Sequence, residues 1–427
     1  MWITGLAFLT IAAVLLSILS KRFSPLLALF LFPVASSLAL GKGWQTGSFV
    51  VAGIRDIAPV IGTFVFAILF FGMLRDAGLL DQPIAWLIHH MGSRPSRIVP
   101  CSALLALCIH LDGSGAVVFL IAIPALLPIY EQLHIDRRLL ACSTSLAAGV
   151  NFLPWTGPTL RAAAALHVTP FALFRPLVGV QIVGLVYVLV VSWLLGLREE
   201  RRLACQGIVY TAELTRNKPV ASRTKFVLNM LLALLVLALA ISGKVEPAIA
   251  FMAGTTLVLL LNFPDLKQQH ERLAAHAPAA LLMCAILFSA GAFSGIMKGT
   301  GMFAAMAAAF GRHVPVASAH HIPFLLGLIA MPLSLVFDPD SFYFGALPIL
   351  AGVAGAASVP AMQVGQAALL GQMTTGFPIS PLTPATFLVV GLSGISLGEH
   401  QRFTGPYLFL ASVVMTFAAV LFGVISF

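Results

Sequence analysis

The chain has 427 residues, 59% of them hydrophobic and only 9% charged, with a mean hydropathy of +1.01. Soluble domains carry roughly 25% charged residues, so these values exclude a soluble globular protein and point to a polytopic membrane protein. The formal net charge of +9 forms no basic stripe of the kind nucleic acid needs, and it sits in short loops, which is an orientation signal.

Taken in chain order, the first apolar run is 2–20. It has no basic region before it and no small-residue cleavage site, so it reads as a retained helix. Runs long enough for the ~30 Å hydrocarbon core follow at 24–40 and 57–74. The stretch 98–130 is apolar at both ends and polar in the middle, where it reads LDGSG (111–115). Two short apolar arms around such a tip are the pattern of a re-entrant hairpin. Irregular backbone at membrane depth is tolerated only where protein buries it or where it lines a wet cavity. Next come a long interrupted run, 138–166, and a span at 172–197. The polar stretch 198–225 reads as a cytoplasmic linker. Spans are expected at 226–242, 247–262 and 277–297, then a second hairpin, 316–354, around FDPDS (337–341). A second interrupted run, 364–392, precedes the last span, 405–427.

With the linker in the cytoplasm, the inside loops hold 17 Lys and Arg and the outside loops 6. This asymmetry places both termini outside a cell, or inner, membrane. The order span, hairpin, broken span, span occurs at 57–197 and again at 277–427. GMLRDAG (72–78) matches GIMKGTG (295–301), and 46 residues separate Asp112 from Pro158 just as 46 separate Asp338 from Pro384. Each half has five full spans, an odd number, so the second half enters from the opposite side. The expected fold is therefore all-α: about ten transmembrane helices in two inverted repeats, 1–197 and 226–427. Secondary transporters are commonly built this way.

The first broken run contains NFLPWTGPTLRAA (151–163). Pro154 and Pro158 remove helix hydrogen bonds and disfavour helix before them. The helix should stop near Asn151 and restart near Thr159. The restarted half offers free N–H groups and a positive dipole end, which suit an anion. Asn151, Trp155, Thr156 and Thr159 add side-chain donors. Arg161 follows in the first turn, and an arginine at mid-membrane costs about 3 kcal/mol or more unless paired or hydrated. Its fork suits a carboxylate; the competing reading pairs it with Asp112 or turns it outward. The second broken run, GFPISPLTPATF (376–387), has Pro378, Pro381 and Pro384 with Ser380, Thr383 and Thr386, and no arginine.

The hairpin tips hold the acids. Asp112 lies between His110 and Gly113, Ser114 and Gly115. Asp338 and Asp340 flank Pro339 ahead of Ser341. Carboxylates at such depth can take protons, because burial favours the neutral form, or ligate a hard cation through oxygen. Asp338 and Asp340 can also cap the second hairpin arm. They are close enough in sequence to share a proton, and with His110 they are the candidates for proton coupling; Asp112, Asp338 and Asp340 are the candidate metal ligands. The five cysteines show no paired spacing and read as small hydrophobes. The adjacent pairs His89/His90 and His320/His321 lack metal-ligand spacing and read as interfacial. Glu399, His400 and Arg402 read as solvated in a cytoplasmic loop or as a mutual polar cluster.

LDGSGAVVFLIAIPALLPIY (111–130), GVNFLPWTGPTLRAAAAL (149–166) and SPLTPATFLVVGLSGISLGEHQRF (380–403) resemble the citrate–metal–proton symporters, the CitMHS family of the ion transporter superfamily. The resemblance covers nearly the whole chain. Hairpin and broken-helix pairs belong to the wider superfamily; the DGSG tip and the LPWTGPT-x-RA run are narrower. The resemblance implies uptake of citrate as a complex with a divalent cation of Mg²⁺ or Ca²⁺ type, driven by protons, with no resident cofactor. It also implies a homodimer with a fixed scaffold and a moving, elevator-type transport domain. By analogy the site includes Asp112, Gly113, Ser114, Asn151, Thr156, Gly157, Pro158 and Thr159, and in the second half Asp338, Asp340, Ser341, Ser380, Thr383 and Pro384. One departure matters: superfamily dicarboxylate carriers place Ser-Asn-Thr at both tips, so sodium sites do not transfer to DGSG and DPDS.

The residues alone also favour a ligand of mixed sign. One arginine and two helix dipoles facing three acids suit a metal–citrate complex better than a bare trianion. The alternative is a proton- or sodium-coupled carrier of another small carboxylate or inorganic anion. A membrane enzyme holding Mg²⁺ on Asp338 and Asp340 would need a facing nucleophile or base, and no second polar cluster supplies one.

Overall fold

Proline opens many of the helices in the computed structural model, which describes residues 2–20, 22–79, 82, 92–206, 223–242, 244–313 and 319–427. His89, His90, most of the linker (207–222) and the start of the second hairpin lie outside the described residues. Three helices open the chain: α1 (Trp2–Leu19), α2 (Pro25–Ala39) and α3 (Gln45–Asp76). The first hairpin is α4 (Pro95–Ile109), a 3₁₀ turn (His110–Asp112) and α5 (Gly115–Gln132). The first broken helix is α6 (Arg137–Gly149) and α7 (Gly157–Leu166). The short α8 (Pro170–Phe174) leads into α9 (Val178–Cys205).

The order then recurs. After α10 (Arg223–Ser242) and α11 (Pro247–Asn262) come α12 (Leu266–Gly299) and a short α13 (Met302–His313). The second hairpin is α14 (Ile322–Leu333), a tip, a π turn (Ser341–Ala346) and α15 (Leu347–Ala356). The second broken helix is α16 (Ala361–Leu369) and α17 (Pro384–Ser393), followed by α18 (Leu397–Leu421). The described residues contain helices and irregular segments and no strand. Five of the helical stretches are long and apolar enough to cross a membrane: Gln45–Asp76, Gly115–Gln132, Pro170–Cys205, Ala280–Gly299 and Leu397–Leu421. One of these is a hairpin arm, α5, which the sequence reading treated as half of a re-entrant element.

Two helices run further than the apolar pattern. α3 starts at Gln45, not near 57, and takes Arg55 and Asp56 into the helix. α12 starts at Leu266, ahead of 277. Small residues explain the close crossing of this pair. An added Cβ at Gly53 would strike the Gly291 carbonyl oxygen and the Gly295 backbone, and one at Gly295 would strike the Phe49 carbonyl oxygen. The backbones touch, so no side chain fits between them.

The apolar interior divides into three clusters. The largest joins both hairpins, both broken helices, α9 and α18. A second gathers α1, α2, the first half of α3, α12 and α13 around Ile57, Phe64 and Phe293, and it includes Leu160 and Phe344. The third gathers the end of α3 with α10 and α11 around Phe70 and Phe251, and it includes Trp155 and Phe171. The hairpins and broken helices thus share one core, while α1–α3 and α10–α13 build a frame beside it. The two halves of the chain interlock inside the first core. α5 packs on α17, and α7 packs on α15, so each hairpin's second arm rests on the other half's restarted helix.

His400 departs from the expectation of a solvated loop. It lies fully buried in the first turn of α18, where its Nε2 faces the Pro378 carbonyl at 3.0 Å and its Nδ1 the Thr404 hydroxyl at 3.1 Å. Glu399 is taken up by a capping box with Ser396, while Arg402 is exposed. The expected cluster of three therefore splits, because the second break needs a donor for its free carbonyl. His320 and His321 are exposed.

Candidate functional site

The first hairpin tip is a turn closed by its own carboxylate. Asp112 Oδ1 accepts from the Ser114 N–H at 2.8 Å, and Gly113 takes φ 80°, a left-handed conformation that glycine adopts without strain. Asp112 Oδ2 accepts from Arg75 Nη1 at 2.9 Å. Arg75 stands in the last turn of α3, so the tip is tied to the frame. Trp155 adds a second tie: its indole N–H donates to the Leu111 carbonyl at 2.9 Å, and its ring stacks on Phe71.

The first break runs from Val150 to Thr156. The helix stops at Gly149 and restarts at Gly157, about two residues earlier at each end than the prolines suggest. Pro158 falls in the first turn of α7, where a missing N–H costs nothing. Gln181 on α9 fixes the break: its amide donates to Asn151 Oδ1 at 2.8 Å. Thr156 donates to the Leu153 carbonyl at 2.8 Å and Thr159 to the Phe152 carbonyl at 3.1 Å. The N-cap threonine thus spends its hydroxyl on the broken end, and no side chain caps the first N–H groups of α7.

The second break repeats the device. Thr383 donates to the Phe377 carbonyl at 2.7 Å, Thr386 donates to the Ser380 carbonyl at 2.7 Å, and no side chain caps α17. In both halves the two hydroxyls, three residues apart, also face each other. Ser380 donates to the Ser334 carbonyl at 2.5 Å, which ties this break to the second hairpin.

The second tip uses its two acids differently. Asp338 caps the second arm: its carboxylate accepts from the N–H groups of Asp340 and Ser341, at 3.0 Å each, and from the Ser341 hydroxyl at 2.5 Å. Asp340 turns away and accepts from Arg161 Nε at 2.7 Å. This ion pair is buried, with Arg161 8% and Asp340 7% exposed. The structure therefore corrects two expectations. Asp112 pairs with Arg75 and not with Arg161, and Asp338 and Asp340 have separate partners and no mutual side-chain hydrogen bond. Among the described residues no group of three or more His, Cys, Asp or Glu is placed to hold a metal ion. Asp112, Asp338 and Asp340, the candidate metal ligands, have their carboxylates taken up by arginines and hairpin N–H groups.

A cavity of about 160 Å³ lies where the first tip meets both breaks. His110, Gly113 and Gly115 line it from the tip, Ala148, Asn151, Thr156, Gly157 and Pro158 from the first break, and Met373, Thr374 and Phe377 from the second. Arg161 is not one of the lining residues but lies next to one of them: a Cβ added at Gly157 would sit 2.8 Å from Arg161 Nη1.

The family model described as "Citrate transporter" matches residues 2–376. The chain belongs to the citrate transporter family. It is 36% identical over 427 residues to a "Citrate transporter" of Bacillus subtilis (strain 168), covering 99% of each chain. It is 34% identical to the "Mg(2+)/citrate complex secondary transporter" of the same organism, over 99% of this chain and 98% of that one. Its fold is similar to that of two solved transporters. These are YdaH of Alcanivorax borkumensis (TM-score 0.61, 17% identity, 88% of both chains) and MtrF of Neisseria gonorrhoeae (TM-score 0.60, 14% identity, 88% and 84%). The family and its relatives are transporters, not enzymes, and the apolar helices make this member a multi-pass membrane protein.

In this citrate transporter family member the sequence-expected residues divide into three groups. His110, Gly113, Gly115, Asn151, Thr156, Gly157 and Pro158 line the cavity. Asp112, Ser114 and Thr159 hold lining residues in place, while Arg161, next to Gly157, pairs with Asp340 off the wall. Ser341, Ser380, Thr383, Pro384, Thr386 and Asp338 shape the second tip and break and are not on its wall. Sequence reading missed Thr374, Met373 and Phe377, which precede the proline run it relied on. It missed Arg75 and Gln181 as well. The glycines of GQMTTG (371–376) were an available signal: a Cβ at Gly371 or Gly376 would strike the second hairpin, so the backbone approaches closely there.

Proposed function

We propose that this protein imports citrate as a complex with a divalent metal ion by proton symport. The observation that carries the reading is the cavity between the first tip and both breaks, with the uncapped start of α7 on its wall and the Arg161 guanidinium next to Gly157 of that wall. These groups suit a carboxylate. The relative described as an "Mg(2+)/citrate complex secondary transporter" supports metal–citrate as the substrate. The metal is cargo, arriving ligated by citrate. A chelated divalent ion leaves citrate weakly anionic, which fits a site where Asp112 and Asp340 each already face an arginine.

Asp340 is where proton and substrate meet. Its carboxylate holds Arg161 Nε, so protonating it releases the guanidinium toward the ligand. A proton on Asp340 and a carboxylate on Arg161 then favour each other, which is the thermodynamic content of symport. The separate cores of the hairpin bundle and the frame support an elevator-type motion of the bundle. Leu160, Phe344, Trp155 and Phe171 form the sliding surface, and the repeats 1–197 and 226–427 exchange roles. The frame is the expected homodimer surface, and the multi-pass chain resides in the cell membrane with both termini outside.

The test is uptake of labelled citrate into proteoliposomes with Mg²⁺, Ca²⁺ or EDTA, with and without an imposed proton gradient. Uptake that needs both metal and gradient is expected. Uptake unaffected by EDTA would remove the metal complex from the reading, and uptake unaffected by the gradient would remove the proton.

A further inference from the structure

Hydroxyls near the cavity are mostly engaged. Thr156, Thr159, Thr383, Thr386 and Ser380 all donate to backbone carbonyls of the breaks and the second hairpin. Two cavity-lining side chains behave differently. His110 Nδ1 and Thr374 Oγ1 are buried polar atoms without any hydrogen-bond partner, and each residue is 3% exposed. Buried polar atoms are normally satisfied, so an orphan on a cavity wall marks a missing partner. These two come from opposite halves of the chain, His110 from the first tip and Thr374 from the second break. Behind Thr374, Thr375 and Ser145 carry unpartnered hydroxyls too. Ser145 lies one turn before Gly149, which packs against the Thr374–Thr375 backbone.

We propose that His110 and Thr374 are direct ligands of the transported anion and make the site selective for a hydroxy-carboxylate. This rests on the transport reading above and adds the group that is recognised. Carboxylates only accept hydrogen bonds, and the α7 N–H groups and Arg161 supply donors for them. In the tautomer with the proton on Nε2, His110 Nδ1 is an acceptor, and a ligand donor satisfies it. The hydroxyl of a hydroxy acid is that donor, and a metal ion chelated beside it sharpens its acidity. Thr374 both donates and accepts, so it bridges the ligand hydroxyl or an adjacent carboxylate to the second half of the chain. A site built to hydrogen-bond a hydroxyl rejects the analogue that lacks it, because its own buried groups are then left unpaired.

The experiment uses the full chain, purified and reconstituted. Binding and uptake of citrate and of tricarballylate, the same tricarboxylate without the hydroxyl, are compared at saturating Mg²⁺. The wild type should prefer citrate by roughly tenfold or more, the worth of one well-made hydrogen bond in a desolvated site. Thr374→Val and His110→Asn should weaken citrate by about that factor while moving tricarballylate less than about threefold, and Thr374→Ser should keep the preference. Should His110→Asn fail to fold, the Val and Ser variants at Thr374 decide alone. A wild type that carries both ligands equally, or a Thr374→Val protein with the wild-type ratio, overturns the inference while leaving transport intact. A wild type that binds neither ligand overturns the transport reading itself.

Discussion

Breaking the Arg161–Asp340 pair tests the centre of the site. Replacing Arg161 with Met leaves Asp340 at 7% exposure without its partner 2.7 Å away. Removing one member of a buried ion pair costs about 3–5 kcal/mol, because the other charge stays desolvated, whereas replacing both by apolar groups is often neutral or better. Arg161→Met and Asp340→Leu should each destabilise by that order, and the double variant should return to within about 1 kcal/mol of wild type. The coupling energy of the cycle should therefore reach about 5 kcal/mol, above the roughly 0.5–3 kcal/mol of ordinary contacting pairs because both charges are desolvated. Equilibrium unfolding in mixed micelles measures all four proteins, and uptake in proteoliposomes is read beside it. Transport should stay lost in the double variant, since both working groups are gone. Additive penalties, with a coupling energy below about 0.5 kcal/mol, would refute the pairing and the proton–substrate linkage built on it.

Four further outcomes follow from the same geometry. Asp340→Asn should abolish acceleration of uptake by a proton gradient while sparing counterflow exchange. Asp338→Asn should keep gradient dependence and lose about 0.5–2 kcal/mol of stability as a weakened cap; equal gradient dependence in both variants would show that neither acid couples. Arg75→Gln should release the first tip from α3, raising amide exchange across residues 110–115 and lowering transport; unchanged exchange there would mean that Trp155 alone holds the tip. Gly53→Ala and Gly295→Ala should each cost about 1–3 kcal/mol by forcing α3 and α12 apart, whereas Gly352→Ala, with no atom within 4 Å of an added Cβ, should not.

Much of the fold was legible because membrane helices announce themselves by apolar length and by the prolines that break them. LDGSG and FDPDS marked the hairpin tips, and NFLPWTGPT and GFPISPLTP marked the breaks. Helix ends inside polar sequence were not legible. α3 begins at Gln45 because Gly53 lets it press on α12, and that contact lies more than two hundred residues away in the chain. The same limit hid the ion pairs. Arg161 meets Asp340 across 179 residues, and no local pattern says which of three acids an arginine will choose. Gln181 sits in an unbroken apolar helix and shows its role only once it faces Asn151. Thr374 was missed for a related reason: no proline lies beside it, and its lack of a partner is visible only in three dimensions.

The two halves share a scaffold of hydroxyls and differ in charge, and the difference bears on what the site can hold. Thr156/Thr159 and Thr383/Thr386 do the same work, satisfying carbonyls that each break exposes, so they belong to the architecture of a broken helix and discriminate little between ligands. Arginine occurs in the first break alone. Its partner comes from the second hairpin, so this guanidinium, next to Gly157 of the cavity wall, is half engaged by Asp340 before any ligand arrives. On the proposed topology a bare trianion would have to displace that carboxylate and still face uncompensated charge within the membrane, where each such charge costs several kcal/mol. Under the proposed reading, a complex that carries its own cation would bring the balance with it, and would need from the protein only one arginine, one helix N-terminus and one proton on Asp340.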